Sequence, residues 1–183
     1  MRVIAGQFKG RILVGPRGKI IRPTSDRIKE FIFDYLGGIV QNINLLELFA
    51  GTGNLSIEAI SRGAQKATLV DSADEAIEII YKNVELTNSS AKCYIIKKEA
   101  LRFLELAKKR SQNFGLIFAD PPYSETIYHN ILERIDDSDI LEKRGLFILE
   151  HSSTKLIHAD YKHLLPIKKK KFGNTTITIF EKW

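Results

Sequence analysis

The chain has 183 residues, 44% of them hydrophobic and 27% charged, with a formal net charge of +6. This is enough for one real hydrophobic core, and the balance excludes disorder, collagen-like sequence and a disulfide scaffold, the last because Cys93 is the single cysteine. No apolar run reaches bilayer-spanning length and the opening Met-Arg-Val-Ile-Ala-Gly lacks the apolar stretch of a secretion signal, so a cytoplasmic address is expected.

Residues 2–14 read as short β-type runs broken by Gly6 and Gly10, which predicts a small basic hairpin or arm. Thr24 reads as a helix N-cap with Asp26 in the first turn. Ile28, Phe31, Ile32, Tyr35 and Leu36 then recur at the spacing of one helix face until Gly37 and Gly38 stop it. From Asn44 onward the pattern changes. Apolar runs at 45–49, 67–70, 94–96, 115–119 and 145–150 alternate with helix candidates near 54–62, 74–87, 99–110, 125–135 and 138–143, with Gly63 closing the first helix. Such alternation predicts an α/β, Rossmann-like fold with a mostly parallel sheet and helices on both faces. Segments 161–171 and 174–182 read instead as two strands joined at Gly173-Asn174, an antiparallel edge hairpin that brings the sheet to seven strands. The expected organisation is one domain over 1–183, with a basic arm and helix at 1–40 and the core at 41–183.

Charge is unevenly spread. Residues 1–30 carry eight Lys/Arg against Asp26 and Glu30, residues 31–160 carry 14 basic and 19 acidic side chains, and residues 161–183 carry six basic side chains against Glu181. Two basic ends flanking an acidic body suit a polyanion, because clustered Lys/Arg displace counterions along a phosphate backbone. The run Lys168, Lys169, Lys170 and Lys171 reads equally as a solvated hairpin.

The first strand of the alternating region runs into Glu47-Leu48-Phe49-Ala50-Gly51-Thr52-Gly53-Asn54-Leu55-Ser56 and then a helix. Open α/β sheets bind ligands beyond the carboxyl ends of their strands where strand order reverses, and this strand belongs there. Gly51 and Gly53 allow a sharp turn and close backbone approach, the helix start offers N–H groups, and Asp71 ends the next strand, where a carboxylate can accept both ribose hydroxyl protons. A nucleoside-containing cofactor follows. Ser56 stands where the dinucleotide fingerprint prefers Gly or Ala, and Glu47 is poorly placed beside a pyrophosphate but well placed for an amino group. S-adenosylmethionine, with an amino acid at one end and adenosine at the other, fits this pattern; Glu47 reads equally as an ordinary polar strand residue.

The run at 115–119 ends in Asp120-Pro121-Pro122-Tyr123. Two prolines fix φ and remove backbone donors, so Asp120 and the Pro121 carbonyl form a rigid acceptor pair. Accepting both N–H groups of an exocyclic base amine would favour its pyramidal form and stabilise the charge that develops on nitrogen during methyl transfer. The ring of Tyr123 can stack on a base taken out of its helix.

Further segments narrow the reading. They are Arg2-Val3-Ile4-Ala5-Gly6 with Lys9-Gly10-Arg11, Arg22-Pro23-Thr24-Ser25-Asp26-Arg27 with Lys29-Glu30, Glu58-Ala59 with Ser61-Arg62-Gly63-Ala64, and Phe172-Gly173-Asn174-Thr175. With the glycine loop and the Asp-Pro-Pro-Tyr turn, the chain resembles over nearly its whole length the bacterial ribosomal RNA small-subunit methyltransferase D family. The resemblance implies a class I S-adenosylmethionine-dependent fold and methylation of a guanine N2 in small-subunit (16S) ribosomal RNA, with rRNA in a small-subunit assembly particle as partner. It also implies that Phe49, Ala50, Gly51, Thr52, Gly53 and Asn54 lie along the methionine part of the cofactor, with Arg22 and Thr24 near its carboxylate. Asp71 would take the ribose, and Glu99 with the Ala100 N–H the adenine. Asp120, Pro121, Pro122 and Tyr123 would form the catalytic turn. Arg2, Lys9, Arg11, Arg17, Lys19, Arg27 and Lys168 to Lys171 would hold RNA. Glu47 and Glu99 stand where the family favours aspartate, and Glu99 reads equally as an acid at a helix N-terminus.

The residues leave alternatives. A DNA adenine-N6 methyltransferase would share the catalytic turn, a nicotinamide oxidoreductase would share the glycine loop, and a non-catalytic RNA-binding module would need only the basic ends.

Overall fold

The structure is a computed structural model describing residues 1–16, 25–122, 124–155 and 161–183. Arg17, Lys19, Arg22, Thr24 and Tyr123 therefore lie outside the described residues. In chain order the described elements are α1 (Asp26–Leu36), β1 (Asn44–Leu48), α2 (Asn54–Ser61), β2 (Lys66–Asp71), α3 (Asp74–Leu86), β3 (Cys93–Lys97), α4 (Ala100–Lys109), β4 (Phe114–Ala119), α5 (Glu125–Asp136), β5 (Leu141–Ser152), β6 (Leu164–Phe172) and β7 (Thr175–Lys182). Among the described residues no helix is long and apolar enough to cross a membrane.

The strands form one seven-stranded sheet in the order β3-β2-β1-β4-β5-β7-β6. The pairs β2–β3, β1–β2, β1–β4 and β4–β5 are parallel, and β5–β7 and β6–β7 are antiparallel, as the α/β pattern with its terminal hairpin predicts. Alternation along each strand divides the core between the two faces. Leu45, Leu69, Leu116, Ile148 and Ile177 pack with Ile32, Phe33, Leu36, Ile57, Ile60 and Ile80 of α1, α2 and α3. Leu46, Val70, Ile117, Phe147 and Phe180 pack with Phe103, Leu104, Tyr128 and Ile131 of α4 and α5 on the other side. Burial on both faces is why these strands read as near-continuous apolar runs.

Two expectations are corrected. The N-cap of α1 is Ser25, whose side chain accepts from Ile28 N at 3.3 Å, and helix begins at Asp26, one position later than a Thr24 cap requires. The 138–143 segment is not a helix: Leu141 registers with Phe114 at the start of β5, and a bulge follows before Leu146 pairs with Leu116. The exposed Glu142, Lys143 and Arg144 occupy that irregularity, Arg144 at φ 62°, and their charges mimic the polar face of a helix.

The N-terminal segment is an arm with one antiparallel bridge, Arg2 to Ile12, lying over α2 and α3. Its anchor is a buried charge cluster. Lys29 Nζ donates to the Arg2 carbonyl (2.5 Å) and to Asn54 Oδ1 (2.8 Å) and lies 3.5 Å from Glu58. Glu58 in turn accepts from Ile4 N (2.8 Å), Ala5 N (3.0 Å) and Arg62 Nε (2.8 Å). Burial lowers the pKa of Lys29, while Glu58 and Asp26 oppose the shift. A second tie is the buried Asn83, which exchanges hydrogen bonds with the Val14 backbone and donates to the Thr52 carbonyl in the glycine loop.

Gly6 makes this docking sterically possible. It sits at φ +83°, and a Cβ there would fall 1.9 Å from the Ser61 carbonyl oxygen. Gly6→Ala is expected to destabilise the fold by about 1–3 kcal/mol and to expose the arm to proteolysis. Urea unfolding with limited proteolysis checks this, and a variant as stable and as resistant as the parent would contradict the docking.

Candidate active site

In the sheet order, β1 leads to β2 on one side and to β4 on the other, so the direction in which successive strands are added reverses between the parallel neighbours β1 and β4. A cleft of about 580 Å³ opens there, at the carboxyl ends of the parallel strands. The glycine loop forms its floor. Phe49 at φ 57°, Gly51 at φ 55° and Gly53 at φ 71° put three left-handed residues between β1 and α2. For Phe49 that conformation carries steric strain, and a Cβ on Gly53 would meet Leu69 Cδ2 at 2.8 Å.

Strand alternation brings carboxylates to the cleft in a row. Asp71 follows Leu69 by two residues, Glu47 follows Leu45, Asp120 follows Phe118 and Glu150 follows Ile148, and all four preceding residues belong to the core beneath α1 and α2. A period of two therefore turns Asp71, Glu47, Asp120 and Glu150 toward the same face at the ends of β2, β1, β4 and β5, and all four line the cleft. Asp71 is held by two backbone donors, Gly51 N to Oδ2 at 2.8 Å and Ala73 N to Oδ1 at 2.9 Å, leaving acceptor capacity on each oxygen.

Glu47 has a second task. Its Oε2 accepts from Ser56 N at 2.9 Å, capping α2, whose N-cap Gly53 has no side chain to do so. The amide expected to be open to an anionic ligand is thus already taken by a carboxylate. Burial pushes the Glu47 pKa up to about 7; the hydrogen bonds from Ser56 oppose this, and the charges of Asp71 and Asp120 add to it.

Most of the residues singled out in the sequence meet here. Glu47, Phe49, Ala50, Gly51, Thr52, Asn54, Asp71, Asp120, Pro121 and Pro122 line the cleft, with Pro121 buried and Pro122 exposed. Glu99 and Ala100 do not: Glu99 is exposed at the start of α4, at the end of β3 one strand farther out, and makes no side-chain capping bond. The expected RNA contacts Arg2, Lys9, Arg11 and Lys168 to Lys171 are exposed, and Arg11 reaches the Leu86 carbonyl at 2.9 Å. Arg27 lines the cleft and lies 5.7 Å over the Phe172 ring, which also packs on Phe31. Sequence reasoning missed Glu150, Phe172 and Thr175, which close the β5–β7 end. Glu150 had a usable signal, a carboxylate ending a strand as Asp71 does.

A cofactor fits this lining on charge. Four carboxylates and a capped helix start disfavour a pyrophosphate and favour a cation, and S-adenosylmethionine carries a sulfonium and an ammonium group.

Comparison with known proteins agrees. Residues 1–181 match the family described as conserved hypothetical protein 95. The chain belongs to this family. Within it, the chain is 36% identical to a Bacillus subtilis (strain 168) protein provisionally named an rRNA methyltransferase, over 100% of this chain and 99% of that protein. It is 31% identical to the ribosomal RNA small subunit methyltransferase D of Escherichia coli (strain K12), over 82% of this chain and 74% of that protein. Among solved structures, an Escherichia coli protein provisionally described as a methyltransferase superposes with a TM-score of 0.86 at 26% identity, covering 100% of this chain and 97% of that one. The fold is that of class I methyltransferases, and this family member is a methyltransferase.

The buried Glu47 is expected to make cofactor binding sensitive to pH. A cation bound in the cleft lowers the carboxylate's pKa, so binding near pH 7 releases a proton and affinity rises as pH increases through about 7. Calorimetric titration with S-adenosylmethionine in two buffers of different ionisation enthalpy should detect that release, and Glu47→Gln should abolish it. Equal proton release in the Gln variant would show that Glu47 does not face the cofactor's charge.

Proposed function

We propose that this protein is an S-adenosylmethionine-dependent RNA methyltransferase that methylates the exocyclic N2 amine of a guanine in small-subunit (16S) ribosomal RNA, within an assembling small-subunit particle. The observation that carries the reading is the position of the Asp120-Pro121-Pro122 turn, across one cleft from the glycine loop and Asp71. The name of the Escherichia coli relative supports the substrate. The Glu47 carboxylate on the Ser56 N–H, at the start of α2, weighs against a nicotinamide dinucleotide.

The cofactor's methionine part lies along Phe49 to Asn54. Asp71 accepts from the ribose hydroxyls, and the adenine extends toward the end of β3, where Glu99 and Ala100 stand outside the cleft lining. When bound, S-adenosylmethionine supplies a methyl group on a cationic sulfur. The acceptor amine is oriented by Asp120 and the Pro121 carbonyl, each accepting one N–H, and Tyr123 stacks on the extruded base. Asp120 also stabilises the positive charge that develops on the nitrogen, in a cleft where the preorganised turn needs no rearrangement.

RNA is held by the basic ends, which α1 connects: Lys29 reaches the arm at Arg2 and Arg27 reaches the hairpin at Phe172. The hairpin register divides its lysines. Lys168 and Lys170 stand opposite Ile179 and Ile177, whose side chains lie on the α1 face, whereas Lys169 and Lys171 stand opposite Thr178 and Thr176 on the other face. The first pair shares its face with the cleft and is assigned the phosphate contacts.

Asp120→Asn should lower methyl transfer at least about 100-fold while leaving S-adenosylhomocysteine affinity within about twofold, as read by radiolabel transfer and calorimetry. Turnover near the parent rate would remove Asp120 from the chemistry. Reversing Lys168 and Lys170 to Glu should flatten the salt dependence of RNA binding by about one unit of slope per lost phosphate contact, and reversing Lys169 and Lys171 should do so less. Equal effects of the two pairs would refute the division. Mapping methylated guanines in 16S rRNA from cells with and without the gene tests the assigned substrate.

A further inference from the structure

The cleft has two ends, and the cofactor contacts account for one. Gly51, Asp71 and Ala73 occupy the β2 end; Glu150, Phe172 and Thr175 occupy the β5–β7 end, beyond Asp120. This second end has no assigned role. It combines a half-buried carboxylate with a half-buried aromatic ring, beside the turn proposed to grip the acceptor amine.

From this arrangement we infer that Glu150 is the residue that selects guanine, accepting the hydrogen bond of the base's N1–H while Asp120 and the Pro121 carbonyl hold its N2 amine. The inference rests on the guanine reading above and supplies the specificity that the catalytic turn lacks. An acceptor pair for an exocyclic amine suits guanine N2 and adenine N6 alike. The neighbouring ring atom tells the bases apart, because guanine N1 carries a proton whereas adenine N1 carries a lone pair. A carboxylate beside that atom accepts from the first and repels the second.

The sheet puts such a carboxylate there. Ala119 of β4 registers with Leu149 of β5, so Asp120 and Glu150 each stand one residue beyond a paired position on adjacent strands, and Cα positions on neighbouring strands are about 4.8 Å apart. Phe118 and Ile148, two residues earlier, both face the core beneath α1 and α2, so Asp120 and Glu150 share that face. Two side chains so placed can reach adjacent atoms on one base edge. Phe172, held by Phe31 at 5.4 Å between ring centroids, walls the same end with an apolar surface against which a planar base can rest.

The test uses 16S rRNA assembled by ligation with either guanine or 2-aminopurine at the methylated position. 2-Aminopurine keeps the 2-amine but has a lone pair at N1. The full-length parent enzyme should lose at least about 100-fold in kcat/KM on the 2-aminopurine RNA, since a carboxylate left facing a lone pair is strongly disfavoured. Glu150→Gln, whose amide can donate to N1, should narrow that ratio to less than about tenfold, with S-adenosylhomocysteine binding by calorimetry confirming that the variant is folded. A parent enzyme that treats both RNAs within about threefold overturns the inference without needing any variant, and so does a Gln variant that keeps the parent's full discrimination. Failure of the underlying reading looks different: the parent would leave the guanine RNA itself unmethylated.

Discussion

Like charges brought together at the edge of a low-dielectric sheet repel, and this protein places four carboxylates around one cleft. Burial, with a smaller contribution from the neighbouring Asp71 and Asp120, pushes Glu47 up to about 7, so the cleft is reluctant to hold its full negative charge. A ligand bearing positive charge relieves that reluctance, and a polyphosphate worsens it. The selectivity of the fold for its class of cofactor is thus written into the ends of β2, β1, β4 and β5 before any contact with a nucleoside is considered. The same electrostatics suits a reaction in which positive charge moves from sulfur to the acceptor nitrogen while the surrounding dipoles stay fixed.

The arm and the cleft are mechanically one unit. Lys29 touches the arm and Asn54 at the beginning of α2, and Asn83 touches the arm and the carbonyl of Thr52. Each joins a basic terminal segment to the glycine loop through a fully buried side chain. A charge pair such as Lys29–Glu58 adds less net stability than its geometry suggests, because both groups lose hydration, but removing either partner strands the other. Its contribution is to fix which way the arm lies against the glycine loop.

Sequence periodicity captured the architecture because both faces of the sheet are buried, which leaves unmistakable apolar runs at β1, β2, β4 and β5. The glycine loop, Asp71 and the Asp-Pro-Pro-Tyr turn were legible because each depends on local backbone geometry. What escaped was whatever depends on sheet order. Glu150, Phe172 and Thr175 enter the cleft because β5 and β7 happen to follow β4 across the sheet, and no short-range pattern records that adjacency. Lys29 belongs to a basic helix start and yet is fully buried, because its hydrogen-bond partners lie 25 or more residues away in sequence. The start of β5 was misread for the opposite reason: a bulge in the strand imitates a helical spacing of charges.

Of the two edge strands, β3 and β6, the second leaves one side of its backbone without a neighbouring strand among the described residues. Exposed strand edges recruit other chains unless something makes the approach unfavourable. Here Pro166, the irregularity that follows it and four consecutive lysines occupy that border. Ammonium groups that would meet a nucleic acid under the proposed function would also turn away a second copy of the same protein, so solubility and the proposed substrate capture draw on one short stretch of chain.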